Sequence, residues 1–493
     1  MARRSSAAAI RSALLVLGGL AAGALPAQAP ALPAQAPALR AQAPALRAQA
    51  PAADGPITLT TPDGSRFVLL PDSRMELVHW AIATVAHDPP GFAGLSAATM
   101  LAALGGTWRS GSHDPERERP ALADLDTAFH AWLGNRGDAA ATAELVRRST
   151  AVEQLGDPAS HRRVLASVPL HLPEVFDRPP VCLYVTSTVP AAVPEVARLL
   201  LERREQTALR DLQTIWAQTG RPRQDDRTAL RAEVLALAMP DHPFLRRLER
   251  PGSAAPRRAE AMSTWQAMQR PERTVHVLHG GFDAAAVQAL LTRTFTTTML
   301  PPAEPLPVVS PRPFSSLRRS VVPGARVPTV ALGFVLPPGV DRAALDVASR
   351  WLGGGADSRL GRELPRLGHP QATVECHAPW PPTIGGSSLL LLEVADPDGI
   401  DGLAEVIRRF ASEAIAAAPS AEMLDAALAE MQREWTRVTN DPRQFAVAVA
   451  EAAQLWPQQP PRTTLPDRID GEAVRRLLGQ ILDSQPVIVE ARP

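Results

Sequence analysis

Side chains able to bind a metal or attack a substrate are few in this chain and poorly spaced. Eleven histidines and two cysteines are spread over 493 residues. A helical zinc site needs two ligands at i and i+4, one turn apart on one face. His171-Leu-Pro-Glu174 starts like such a site, but no second histidine follows and a proline interrupts the turn. His276 and His279 fall in a strand-like run, where an i, i+3 pair points to opposite faces and does not share an ion. His377 adjoins Cys376, and neighbours on a strand also face apart. No Gly-x-Ser-x-Gly elbow presents a serine nucleophile. Gly353-Gly-Gly lacks the Gly-Lys-Ser/Thr that completes a phosphate loop.

One segment has the form of a catalytic helix without its chemistry. Gly94-Leu-Ser-Ala-Ala-Thr-Met-Leu-Ala-Ala-Leu-Gly-Gly-Thr107 follows a strand end and a loop, Val85-Ala-His-Asp-Pro-Pro-Gly91-Phe-Ala. The phrase resembles the active-site segment of the insulinase/pitrilysin zinc metallopeptidases, Gly-Leu-Ala-His-x-x-Glu-His-Met-x-x-x-Gly-Thr. The resemblance puts the two histidine ligands on Ala97 and Leu101 and the catalytic glutamate on Met100. Ala97 and Leu101 have no side-chain lone pair for zinc, and Met100 cannot act as a base to deprotonate a bound water. The apolar residues Leu95, Ala98, Met100, Leu101 and Leu104 are expected to form a buried helix closed by Gly105-Gly106.

The rest of the family's site is also degraded. Its third ligand, a glutamate on a later helix, corresponds to Asp211 in Leu201-Glu-Arg-Arg-Glu-Gln-Thr-Ala-Leu-Arg-Asp-Leu-Gln213, and a supporting glutamate corresponds to Arg204. One carboxylate cannot hold the ion alone, so Asp211 is read as vestigial. The arginine and tyrosine with which active relatives or their partner subunits grip a peptide backbone correspond to Pro365 and Ala372, with Arg366 one position off. The resemblance therefore implies an inactive metallopeptidase: no catalytic residues, no cofactor and no zinc.

The elements that would carry these positions form two similar halves. Asp63-Gly64 marks a hairpin between strands in 57–71, a third strand follows at 77–85, and 274–291 reads as strand, glycine turn and amphipathic helix. Pro301–Pro313 holds six prolines and separates the halves. In the second half, strands at 327–337 and 387–394, helices at 341–352, 402–415 and 420–437, and a terminal helix and strand follow. The resemblance extends from about residue 56 to the C-terminus; 108–180 matches poorly and is the place for an insertion. The expected class is α+β: two homologous α/β halves, each a mixed sheet backed by helices, closing as a clamshell around an extended peptide. The division is an N-terminal insulinase-like domain at 56–300, the linker at 301–313 and a C-terminal insulinase-like domain at 314–493.

The first 55 residues differ in kind. Arg3 and Arg4 precede a short apolar core at 13–25 with small-residue cleavage sites after it, the pattern of a signal peptide over 1–29. The alternative is an uncleaved N-terminal anchor, although the core is short for a membrane span. Heptads of the type Ala-Gln-Ala-Pro-Ala-Leu-Arg run from Ala27 to Ala52; a proline in each forbids a coiled coil and leaves an extended tether over 30–55. The chain carries 51 basic residues, all arginine, against 51 acidic ones, so no charge excess draws it to nucleic acid. Cys182 and Cys376 lie in separate strand-like runs and are expected as free thiols even in an oxidising compartment. Together these features predict a periplasmic or secreted protein without membrane insertion beyond the signal segment. The expected partner is an active zinc-bearing relative or a second copy, with extended peptides as possible cargo; the alternatives are a free-standing peptide-binding scaffold and a peptidase with a rebuilt site.

Overall fold

The computed structural model describes residues 55–493 apart from 169, 179, 220–225, 243, 249–254, 298–299, 301–316, 338, 355–357, 383–387, 417–418, 467 and 483–484. The expected signal segment, nearly all of the tether, the proline linker and the last glycine of Gly353-Gly-Gly lie outside the described residues. In chain order the first part gives β1 (Ile57–Thr60), β2 (Arg66–Pro71), β3 (Val78–Val85), α1 (Leu95–Ala102), α2 (Pro115–Gly134), α3 (Ala139–Leu155), α4 (Pro158–Ser167), β4 (Leu170–Arg178) and β5 (Val181–Thr188). Then come α5 (Val193–Gln206), α6 (Leu212–Thr219), α7 (Asp226–Ala238), α8 (Leu245–Leu248), α9 (Arg258–Met268), β6 (Thr274–Gly280) and α10 (Ala284–Thr294). The remainder gives β7 (Arg318–Pro323), β8 (Thr329–Val335), α11 (Arg342–Gly353), α12 (Arg359–Glu363), β9 (Thr373–Trp380), β10 (Leu389–Ala395), α13 (Leu403–Ala416), α14 (Ala421–Thr439), α15 (Pro442–Leu455), α16 (Gly471–Leu482) and β11 (Val487–Arg492).

These elements make two compact units that are not two consecutive stretches. The first takes the described parts of Met1–Asp177, Cys182–Pro222 and Pro251–Ala303; the second takes Arg178–Val181, Arg223–Arg250 and Glu304–Pro493. Helix α7 thus lies within the stretch 56–300 expected as the N-terminal domain yet belongs to the second unit, which reading along the chain does not reveal.

The first unit is built on a six-stranded sheet, ordered β1-β2-β6-β3-β5-β4. Its opening hairpin is fixed by the expected turn. Gly64 takes φ 89°, and the Asp63 carboxylate accepts from the Ser65 N–H at 2.9 Å and the Thr61 hydroxyl at 2.7 Å. The strand following the crossover, β6, runs parallel to β2 and antiparallel to β3. It ends at Gly280, where a Cβ would lie 2.0 Å from the Leu77 carbonyl oxygen, so only glycine fits. Alternate residues of β3 (Val78, Trp80, Ile82) join Leu95, Ala98, Met100, Trp265 and Phe295 in one core. The poorly matching stretch 108–180 is occupied by α2, α3 and α4, with Leu122, Leu125 and Val152 as a small core of their own.

The second unit has a five-stranded sheet, ordered β7-β11-β8-β10-β9, with helices on both faces. Val330, Leu332, Leu390, Leu392 and Ile488 turn to the face covered by α11, α13 and α16. Ala331, Leu389, Leu391, Val487 and Val489 turn to the other, where Leu230, Val234 and Leu235 of α7 cover them. At Gly333 a Cβ would stand 2.8 Å from a Val234 methyl, so glycine lets the helix sit close on the strand. Among the described residues no helix is long and apolar enough to cross a membrane.

Candidate functional site

Helix α1 is started by a carboxylate cap from outside the helix. Asp88 accepts from the backbone N–H of Gly94 at 2.9 Å and of Ser96 at 2.7 Å, and the Ser96 hydroxyl donates to it at 2.6 Å. Gly94 takes φ 86°, which turns the chain into the helix. Leu95, Ser96, Ala98, Thr99, Met100 and Ala102 are buried, whereas Ala97 and Leu101 are half-buried. The ligand positions therefore share the less covered face, as i, i+4 spacing requires, while Met100 points into the core with its sulfur 3.5 Å from the Gln269 side-chain nitrogen. Leu101 and Leu104 are half-buried rather than fully buried, which corrects the all-round apolar helix. The helix ends in a 3-10 turn and Gly106 at φ 109°.

Asp211 stands just before α6, and its carbonyl accepts from the Ile215 N–H at 2.9 Å. The residue is exposed overall, but its carboxylate is crowded against Gly105, where a Cβ would lie 3.0 Å from Oδ2. Desolvation of that carboxylate raises its pKa, against the pull of Arg210 and Arg258. Arg204 has a wholly structural place. It is 5% exposed, pairs with the buried Asp63 at 2.8 Å, and also donates to Ser65 and to the Thr297 carbonyl oxygen. The Arg204 guanidinium thus ties α5 to the β1–β2 hairpin.

The other sequence candidates are not brought together. Pro365 and Arg366 are exposed in a 3-10 turn at Leu364–Leu367, where Arg366 pairs with Glu363 at 3.1 Å, and Ala372 packs at the edge of the second core. His171 and Glu174 lie on β4, not on a helix. His276 is buried, stacks on Phe67 with centroids 4.6 Å apart and accepts from the Trp80 indole N–H at 3.2 Å; burial lowers its pKa to about 3 and keeps it neutral. His279 faces the other side of the sheet, opposite His79. Cys182 on β5 and Cys376 on β9 are not joined in a disulfide.

One group of possible ligands escaped the sequence. Glu375 and His377 on β9 and Glu393 on β10 bring a nitrogen and two carboxylates within 4.8 Å of one another, the one such group among the described residues. The sheet register sets Glu393 directly opposite Glu375, a repulsive pair on its own. Helix α7 resolves it. Arg227 donates to both oxygens of Glu375 at 2.7 and 2.8 Å, and Arg231 holds Glu393 at 2.8 and 2.6 Å. Burial pushes the Glu393 carboxyl up, but Arg231 and His377 outweigh it and hold the pKa at about 2. Two guanidiniums thus already neutralise two carboxylates, and Arg231 lies 3.0 Å from His377 Nε2, where a cation would have to sit. The group is an ion-pair network that clamps α7 onto the sheet.

The family model described as the peptidase M16 inactive domain matches residues 258–378. No curated protein sequence matches the chain. Solved structures do: a peptidase M16 inactive domain from Pseudomonas fluorescens superposes with TM-score 0.60 at 12% identity, covering 89% of this chain and 98% of that one. A protease from Helicobacter pylori gives 0.56 at 13% identity, over 89% and 99%. The first half of the periplasmic protease PqqL from Escherichia coli gives 0.56 at 13%, over 90% and 93%.

The chain has the M16 peptidase fold. M16 is the insulinase/pitrilysin family, so the zinc that this fold implies can be tested against the residues present. Ala97 and Leu101 offer no donor atom, Met100 is buried against Gln269, and Asp211 sits beside Gly105 as a single carboxylate. The M16 zinc set does not fit this chain. The purified protein is expected to hold far less than one zinc per chain by elemental analysis and to gain no thermal stability from added zinc. Stoichiometric zinc that survives dialysis would contradict this, and its loss in Asp211→Asn or in Glu393→Gln would say which carboxylate holds it.

Proposed function

We propose that this chain is an exported M16-fold protein that does not hydrolyse peptides through zinc but pairs with an active, zinc-bearing relative and completes its peptide chamber. The observation that carries the reading is Arg204. A fold that keeps its framework while turning a supporting-glutamate position into a buried ion pair with Asp63 has given that position to structure. The apolar residues at 97, 100 and 101 and the absence of the gripping pair at Pro365 and Ala372 support the same conclusion. Export to the periplasm or beyond rests on the N-terminal signal pattern, and the periplasmic location of the Escherichia coli protease is in keeping with it.

A subunit contact requires more buried surface than a monomer normally leaves available, on the order of 1,200–2,000 Å2 in total. The expected result is co-purification of this chain from the periplasm with an intact M16 peptidase, whose hydrolysis of peptides falls when this chain is deleted. A monomer at micromolar concentration whose deletion leaves the relative's activity unchanged would sink the pairing. A self-dimer would replace the hetero-pair by a second copy, and a monomer that retains extended peptides would make it a free-standing peptide-binding protein.

A further inference from the structure

Helix α5 carries three arginines, and two of them hold carboxylates. Arg198 pairs with Glu195 at 2.5 Å and with Glu202 at 3.1 Å, and Arg204 pairs with Asp63. Arg203 makes no hydrogen bond or ion pair among the described residues; its guanidinium lies over the Tyr184 ring, 3.9 Å from the centroid. That stack fixes the group without using its N–H donors. Tyr184 is the one tyrosine of the chain, and its hydroxyl likewise has no hydrogen-bond partner among the described residues.

Arg203 and Tyr184 line a cavity of about 40 Å3 that opens to solvent in the first unit. Leu104, Leu165, Val196 and Leu199 give it an apolar wall. Two other ionisable groups reach it, Glu202 and His161, and neither adds an uncompensated charge. Glu202 is 8% exposed, and its oxygens accept from Thr107 Oγ1 at 2.5 Å and from Arg198 at 3.1 Å. Burial, and then Arg210 and Arg203, hold the His161 pKa below its ordinary value, so the ring is neutral at neutral pH. Arg203 is therefore the unpaired charge of the cavity. At roughly 10–15 Å3 for each water-sized group, the space takes about three such groups, the size of a carboxylate. A guanidinium presents a fork of donors that matches a carboxylate, and apolar walls screen that contact less than bulk water does.

We propose that this cavity binds the carboxylate end of a ligand, with Arg203 donating to its oxygens, the Tyr184 hydroxyl as a further donor, and the rest of the ligand in the opening. Two sources present such a group: the C-terminus of a peptide and a free short-chain acid. An amide end is rejected, because its NH2 meets the guanidinium donors and it brings no charge to neutralise them. The site needs no partner chain, so it stands whether or not the pairing with an active relative does.

The test uses the full chain grown with 3-fluorotyrosine, which places a single fluorine resonance in this cavity at Tyr184. The probes are propionate, acetyl-trialanine and acetyl-trialanine amide, with sodium chloride as the ionic-strength control. Propionate and the free-acid peptide should move the resonance to saturation, and the amide and the chloride should not. Saturation by the peptide at a concentration at least about tenfold below propionate makes a peptide C-terminus the source; any smaller difference makes it a short-chain acid. Arg203→Gln should weaken binding about tenfold or more, with Arg203→Lys between it and the parent. No shift from either acid, an equal shift from the amide, or parental binding by Arg203→Gln overturns the proposal. If circular dichroism shows that Arg203→Gln does not fold, acid against amide on the parent decides.

Discussion

Replacing Arg204 by methionine is expected to cost about 3–5 kcal/mol, because it removes one partner of a buried ion pair and leaves the other uncompensated. The side chains of Arg204 and Asp63 are 6% and 0% exposed, and their 2.8 Å contact joins α5 to the hairpin at the edge of the first sheet. Asp63 sits between opposing effects. Burial pushes its carboxyl up, but the Ser65 N–H, the Thr61 hydroxyl and Arg204 together hold it below the usual carboxylate range. A carboxyl depressed in the folded state contributes stability above its unfolded pKa, about 3.9, and loses it as pH falls through the lower folded value. The difference between the parent and Arg204→Met should therefore be full at pH 7 and shrink in acid. Denaturation followed at several pH values checks it, and Asp63→Asn combined with Arg204→Met should recover part of the loss. A loss below about 1 kcal/mol at neutral pH would mean that the pair is effectively solvated.

Met100→Glu, which restores the family's catalytic glutamate in name, should destabilise by several kcal/mol and give no peptidase activity. Met100 is 3% exposed and belongs to the core formed with Leu95, Ala98 and Trp265. A carboxylate there would find only the Gln269 amide, now 3.5 Å from the methionine sulfur, and one neutral donor does not offset the desolvation of a charge. Met100→Leu, nearly equal in volume, should cost less than about 1.5 kcal/mol and serves as the control. A Met100→Glu protein as stable as the parent would place this residue on an open, solvated surface and contradict its place in the core.

The mismatch with the family's zinc ligands was legible from residue types, since no conformation gives the Ala97 or Leu101 side chain a donor atom. Much of the local structure was legible too. Asp63-Gly64 supplied a carboxylate and a left-handed residue for the hairpin, and Asp283, Asp341 and Ser420 cap the helices whose apolar spacing announced them. Such signals span a few residues, and side-chain period and capping chemistry act at that range.

The partners of charged and polar groups were not legible, because those lie far along the chain. Arg204 meets Asp63 across 141 residues, Arg231 meets Glu393 across 162, and Ser110 meets His161 across 51. Before folding, each is one arginine, glutamate or serine among many with the same local context. Helix α7 shows the reason best. Its apolar stripe demands some sheet to cover, yet period alone does not say which. Packing decides it, where Gly333 admits Val234 and where Arg227 and Arg231 meet the facing carboxylates of β9 and β10. The sequence settled which atoms this protein has lost; tertiary structure settled what the replacements do, because only folding sets the distances over which charge and hydrogen bonding act.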